Sequence, residues 1–341
     1  MFAEKSISSL VLAVISLSLI SHAGAEPGFV PWDSAKIPSV LKARAPSIFR
    51  LVVLADSPNR VPRDRYAEFL KIFGQSGFPT KLVKAKLDKC EGEQPRPEFC
   101  DVEYVGFGTA FLAEKENRIW TVRHNFEFAN PNLATLPLDA NFQPKFVLYD
   151  QSGTIRFDSR NEKDEAKLVL LLPETLLKEE FSASKGRILT DLVAIDLNRN
   201  IPGAKPLTFG SPPPIGSKIF GTGFPVATRS REIDTKSADS DGISLYATLG
   251  TVIGEKKMFE LIGEELPGNE GTVDKMLVIS DADGARSQSG GPVFDEKGFV
   301  IGIYASGIPK VGETRDDYYT PSNIALSSNW AKSLIEKYGR R

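Results

Sequence analysis

Short apolar runs separated by polar turns organise the chain. Ser47-Ile48-Phe49-Arg50-Leu51-Val52-Val53-Leu54 is the first strong one, rich in the branched and aromatic residues that suit a pleated, half-buried surface. Two further runs, 104–112 and 118–122, flank the polar stretch Ala113-Glu114-Lys115-Glu116-Asn117 and predict a hairpin. More strands are predicted at 145–149, 155–158, 167–172 and 192–197. A proline-rich break, Ser211-Pro212-Pro213-Pro214, follows, and the same grammar resumes at 217–221, 243–245, 251–253, 276–279, 292–294 and 299–304. Strands at such regular intervals, with no helices alternating between them, predict an all-β protein built as closed or nearly closed barrels.

Helical periodicity is confined to two places. Pro62 at a start, Tyr66, Phe69, Leu70 and Phe73 at helical spacing and Gly74 at an end predict a helix inside an insertion at 56–101, with its apolar stripe as a packing face. At the other end of the chain, Ile324, Leu326, Trp330, Leu334 and Ile335 mark one face of a terminal helix predicted over 322–338. Residues 26–42 carry three prolines and no clear period, which predicts an arm, and 255–275 is a charged, glycine-containing surface loop.

Length and composition narrow this picture. A chain of 341 residues accommodates two domains or two halves of one enzyme. The expected organisation is a signal peptide at 1–25, an arm at 26–44, a first barrel at 45–205, a second at 206–310 and a helical segment at 311–341. Basic and acidic residues nearly balance, at 42 and 44, so nothing points to a nucleic-acid groove or an anionic membrane surface.

The signal reading rests on Lys5, on an apolar core at 10–20 too short to span a bilayer, and on the small residues Ala23-Gly24-Ala25 before a cleavage point; the alternative is an uncleaved anchor. Export to a periplasmic or extracellular compartment makes a disulfide permissible, and Cys90 and Cys100 are the only cysteines. Their spacing suits a structural staple better than a redox motif, which normally separates its cysteines by two residues. No motif cradles phosphate. Asp239-Ser240-Asp241-Gly242 lacks the remaining ligand spacing of a calcium loop, so no cofactor or metal is expected.

The candidate chemistry centres on Ser289-Gly290-Gly291-Pro292, a serine beside paired glycines in a polar loop. A serine attacks a carbonyl well only if a base takes its proton and a carboxylate orients that base. The chain has two histidines, and His22 falls in the predicted signal, so His124 is the one imidazole left after processing. It lies just beyond a predicted strand, where a side chain can leave a barrel core and face a cleft. Asp191 stands at the entrance of the apolar run Leu192-Val193-Ala194-Ile195; Asp196 is the weaker candidate, on the opposite strand face.

These residues carry a resemblance. Gly106-Phe107-Gly108-Thr109-Ala110-Phe111, Thr121-Val122-Arg123-His124, Thr190-Asp191-Leu192-Val193-Ala194 and Ser280-Asp281-Ala282 through Ser289-Gly290-Gly291-Pro292 resemble, in this order, the chymotrypsin-fold, trypsin-like serine proteases. The closest in style are the bacterial periplasmic high-temperature-requirement proteases and the glutamyl endopeptidases. The resemblance implies two antiparallel six-stranded β-barrels with the catalytic residues between them. It implies Ser289 as nucleophile, His124 as general base and Asp191 as orienting carboxylate. Backbone N–H groups of Ser287 and Ser289 would form the oxyanion hole, and Tyr304, Ala305, Ser306 and Gly307 the edge on which a substrate strand pairs.

Substrates would be proteins or peptides, cut by a monomer with no membrane span once the signal is removed. The alternative from another class is a catalytically weak protease-fold binding module. Five positions depart from the pattern or bear on specificity. Ser287 stands where the family has glycine, and Val122 and Arg123 replace two alanines, so Arg123 is expected to find an exit to solvent. Gln288 replaces the aspartate that pairs with a new N-terminal amine in proteases activated by cleavage, so no such cleavage is expected. Asp283, six residues before Ser289, is either the base of a pocket for Lys or Arg or a solvated turn residue.

Overall fold

The computed structural model describes residues 29–54, 59–67, 87–95, 97–102, 105–127, 143–177, 187–225, 244–253, 276–282, 284–285, 287–308, 319–320 and 322–340. The predicted signal, the body of the helix at Phe69, Leu70 and Phe73, the loop at 255–275, Asp239-Ser240-Asp241-Gly242 and Asp283 lie outside them.

The strands, in chain order, are β1 (Phe29–Pro31), β2 (Ile48–Leu54), β3 (Asn59–Pro62), β4 (Phe99–Val102), β5 (Val105–Leu112), β6 (Arg118–Thr121), β7 (Phe146–Tyr149), β8 (Ile155–Asp158), β9 (Ala166–Leu171) and β10 (Val193–Leu197). After them come β11 (Lys218–Gly223), β12 (Tyr246–Thr251), β13 (Leu277–Ser280), β14 (Gly284–Ala285), β15 (Pro292–Asp295), β16 (Val300–Ile308), β17 (Tyr319–Thr320) and β18 (Ser322–Ser327). Two antiparallel sheets contain most of them. The first runs β8-β7-β2-β5-β6-β10-β9 and the second β1-β12-β11-β15-β16-β18-β13. In the second sheet, Val252 bridges Ser280 and the Ile253 N–H donates to the Ile279 carbonyl, so the end of β12 meets edge strand β13 and the sheet closes. This is the two-barrel, trypsin-like fold.

Alternation along each strand explains the layering. In β2, Ile48 faces a central core shared by both halves, while Phe49, Leu51 and Val53 face the interior of the first barrel. β5 and β6 behave the same way: Phe111 and Trp120 point to the central core, Ala110, Leu112 and Ile119 to the barrel interior. With both faces covered, these strands lose the polar alternation of a half-exposed sheet and read as continuous apolar runs. The second barrel is filled by Ile219, Val278, Val293, Ile301 and Ala325.

The segment between the halves is stitched to both, because Leu207 bridges Ala113 and Phe209 bridges Val300. The Phe209 ring meets Trp120 edge-on at 5.2 Å in the central core.

Several expectations need correction. The arm is partly a strand: β1 pairs with β12, placing Phe29 opposite Thr248, and Trp32, Ile37 and Leu41 are buried in the central core. It adds a seventh strand to the second sheet, and the first sheet also has seven among the described residues. In place of the strands predicted at 243–245 and 251–253, the strand formed is β12, which lies between them and takes in only Thr251 of the predicted residues. The terminal helix begins later than predicted, at Ser328, because Ile324 and Leu326 belong to β18. Pro62 closes β3 and leads into a tight 3-10 turn, Arg63–Arg65.

Cys90 and Cys100 are joined as a disulfide. Among the described residues no helix is long and apolar enough to cross a membrane.

Candidate active site

β6 delivers the chain to Thr121, and after Val122 a short helical turn, His124–Glu127, lifts the imidazole away from the sheet. Asp191 arrives from the other side, in the turn before β10, with 8% of its surface exposed. The two meet twice. The His124 backbone N–H donates to Asp191 Oδ1 at 2.9 Å, and His124 Nδ1 lies 2.7 Å from Asp191 Oδ2. Two contacts to one carboxylate fix both the position of the ring and its tautomer, with the proton on Nδ1 and Nε2 turned outward as an acceptor.

Electrostatics reinforce the pair. Burial pushes the His124 pKa down, but the charge and hydrogen bond of Asp191 outweigh it, and the net value lies above the ordinary histidine range. Burial would raise the Asp191 pKa, yet His124 and its hydrogen bonds bring it below the usual carboxylate value. Asp196, the weaker candidate, is engaged elsewhere: it receives Arg118 Nε and Nη2 across the β6–β10 register.

The serine loop is tied to the first barrel next to this pair. The Ser289 carbonyl accepts from the Thr109 N–H at 2.8 Å and from Asn125 Nδ2 at 3.0 Å. Asn125 follows His124 directly, so the histidine turn and the serine loop share one clamp. The Ser287 carbonyl accepts from Thr109 Oγ1 at 2.9 Å. Gly108 makes room for the clamp, since a Cβ there would fall 2.1 Å from Asn125 Nδ2.

Gly290 is required for a related reason: its φ is +86°, and a Cβ would fall 2.1 Å from Thr121 Oγ1. Sequence reasoning missed Asn125 and gave no role to Thr109 or Thr121. Asn125 and Thr109 reach residue 289, far along the sequence, Thr121 bonds both of them, and the one local hint was a glycine facing a position next to the histidine.

Ser287 adopts the left-handed conformation, with φ 66°, that glycine takes freely. A side chain there therefore does not prevent the turn. Gln288 is fully buried, and its Nε2 lies 3.3 Å from Thr248 Oγ1. Tyr304 is buried and locks to the loop, donating its N–H to the Gly291 carbonyl and accepting from the Gly290 N–H. The β15–β16 pairing ends at Pro292 opposite Ile303, while Ser306 and Gly307 continue to pair with β18. Ala305 is buried, and Ser306 and Gly307 are half-buried.

Arg123 does not find solvent. It is 1% exposed, and its guanidinium turns inward, with Nε 2.6 Å from Glu127 Oε1 and Nη1 donating to the Leu172 carbonyl at 3.0 Å.

Comparison with known proteins gives a family. The family model for the trypsin-like peptidase domain matches residues 108–303. Among solved structures, the active form of the Rv3671c protease from M. tuberculosis is 16% identical, with 89% of this chain and 85% of that chain covered, at a TM-score of 0.46. The HtrA-type protease AlgW with a decapeptide is 14% identical over 88% of this chain and 66% of that chain, at a TM-score of 0.47. Among curated proteins there is no match. The family match takes in more than half of the chain, including His124, Asp191 and Ser289. The chain belongs to the trypsin-like peptidase domain family and is a serine protease.

Proposed function

We propose that the protein is an exported endopeptidase that hydrolyses peptide bonds through an acyl-enzyme on Ser289. His124 Nε2 takes the Ser289 hydroxyl proton as Oγ attacks the carbonyl carbon, and the same proton passes to the departing amine. Water then attacks the ester, with His124 again as base, releasing the acid and restoring Ser289. Asp191 keeps the ring oriented and balances the imidazolium. The N–H groups of Ser287 and Ser289 receive the oxyanion, and each such donor typically contributes about 3 kcal/mol of transition-state stabilisation. A substrate strand pairs along Ala305, Ser306 and Gly307, beyond Tyr304, whose N–H and carbonyl are engaged by Gly291 and Gly290.

The observation that carries this reading is the double contact of His124 with Asp191, beside a serine loop clamped by the very next residue, Asn125. The left-handed Ser287 supports the oxyanion assignment, because it gives the loop the turn that a glycine would. Export rests on the apolar, small-residue pattern of residues 1–25.

A fluorophosphonate probe tests the proposal. Wild-type protein is expected to be labelled covalently, and Ser289→Ala and His124→Ala are expected to lose the label. An unlabelled wild type that still binds peptides would favour a binding module on the same fold.

A further inference from the structure

Arg123 and Glu127 are ionised side chains placed behind the candidate dyad with no part in the proton transfer. A guanidinium in a protein interior costs several kcal/mol unless its charge and donors are matched. For Arg123 the charge is balanced and Nη1 reaches two oxygens, while Nε and Glu127 Oε1 form an ion pair without a well-directed hydrogen bond, and the groups involved come from three segments. Glu127, one helical turn on, supplies the opposite charge at 2.6 Å. The Leu172 carbonyl, just past the end of β9, accepts from Nη1 at 3.0 Å. Thr190 Oγ1 lies 3.4 Å from the same nitrogen, and Thr190 is the residue before Asp191.

The guanidinium thus ties the histidine turn, the end of β9 and the aspartate turn together, out of contact with solvent. A purely packing role would be filled at lower cost by an apolar side chain.

We propose that Arg123 and Glu127 form a positioning pair behind the dyad: Arg123 holds the Asp191 turn against the histidine turn, and Glu127 balances the charge that this tether buries. This rests on the reading of His124 as the general base. The charged groups around the imidazole are Asp191 from the turn before β10 and Glu127 and Arg123 from its own segment, with Arg187 acting on Glu127. Asp191 and Glu127 favour the imidazolium, and Arg123 opposes it. Burial raises the Glu127 pKa even against the pull of Arg123, so a negative charge there is costly to bury.

The test measures both the pH profile of kcat/KM and the titration of the His124 ring by NMR, with His22 the only other histidine. In Glu127→Gln an anion is lost and Arg123 is left uncompensated, so the His124 pKa and the acid limb of kcat/KM are expected to fall by about one pH unit. The double variant Arg123→Met/Glu127→Gln removes both charges. Its limb is expected to return to within a few tenths of a unit of wild type, while the plateau kcat stays about tenfold down at unchanged KM because the tether to Thr190 is gone.

A limb that does not move in folded Glu127→Gln overturns the proposal, as does a double variant with wild-type kcat. Where Glu127→Gln fails to fold, the double variant decides alone. The NMR titration needs no turnover. A wild type that ignores the fluorophosphonate probe therefore counts against the base assignment, while the ring titration still judges the pair.

Discussion

At the scale of single residues, the site depends on backbone geometry as much as on side-chain chemistry. Ser287 holds a left-handed backbone, which costs a residue with a Cβ roughly 1–2 kcal/mol. Ser287→Gly is expected to stabilise the protein by about 0.5–1 kcal/mol in thermal unfolding and to keep or raise kcat/KM, whereas Ser287→Val is expected to lower both. Loss of activity in Ser287→Gly would show that the hydroxyl, rather than the turn, is what the site uses. With His124 as the proposed base, active when neutral, its raised pKa is expected to place the acid limb of kcat/KM above the ordinary value of about 6.5. Removing the anion in Asp191→Asn is expected to shift that limb to lower pH. It is also expected to cut kcat by about 10³-fold to 10⁴-fold, since the ring loses its tautomer partner.

At the scale of elements, the terminal helix gives a calibrated case. Ser327 caps it, its side chain accepting from the Trp330 N–H, and Ala331 and Leu334 face inward. Ser327→Ala is expected to cost about 1 kcal/mol in urea unfolding. The same region shows what a single chain makes legible. Trp330 and Leu334 are four apart and helical, but Ile324 and Leu326 are two apart, which is strand spacing; joining them into one stripe hid β18.

β12 was masked differently. Its sequence Tyr-Ala-Thr-Leu-Gly-Thr has one large aliphatic residue, Leu249, and that one is exposed. The hairpin of β5 and β6 and the strands at β2 and β10 stood out because their apolar residues face two cores. The motifs point to His124, Asp191 and Ser289 as candidates, and the fold brings His124 and Asp191 into contact. Asn125 and the inward turn of Arg123 were not legible, because their partners at residues 289 and 172 are set by the packing of the barrels.

At the scale of the whole molecule, buried carboxylates set the acid stability. Hydrogen bonds from Arg160 depress the Asp158 pKa, and hydrogen bonds from Arg199 depress that of Asp164. Each contributes stability that is complete above the unfolded aspartate value of about 3.9 and is lost as pH falls through the lower folded value. His124 acts in the opposite sense: its contribution is complete below about 6.5 and fades as pH rises through its raised folded pKa. Urea unfolding across pH should therefore show a steep loss at the acid end, and Asp164→Asn should flatten it. An unchanged acid slope in that variant would remove Asp164 from the account.

The pairing of β1 with β12 also bears on the order of assembly. Phe29 lies opposite Thr248, so the first described strand has no sheet partner until most of the chain has been made. The first barrel can draw on its own hairpins, whereas the central core needs both ends of the chain at once. Contacts of such long sequence separation slow folding. Late closure of this kind would leave a new chain open for longer, which suits the export proposed for it.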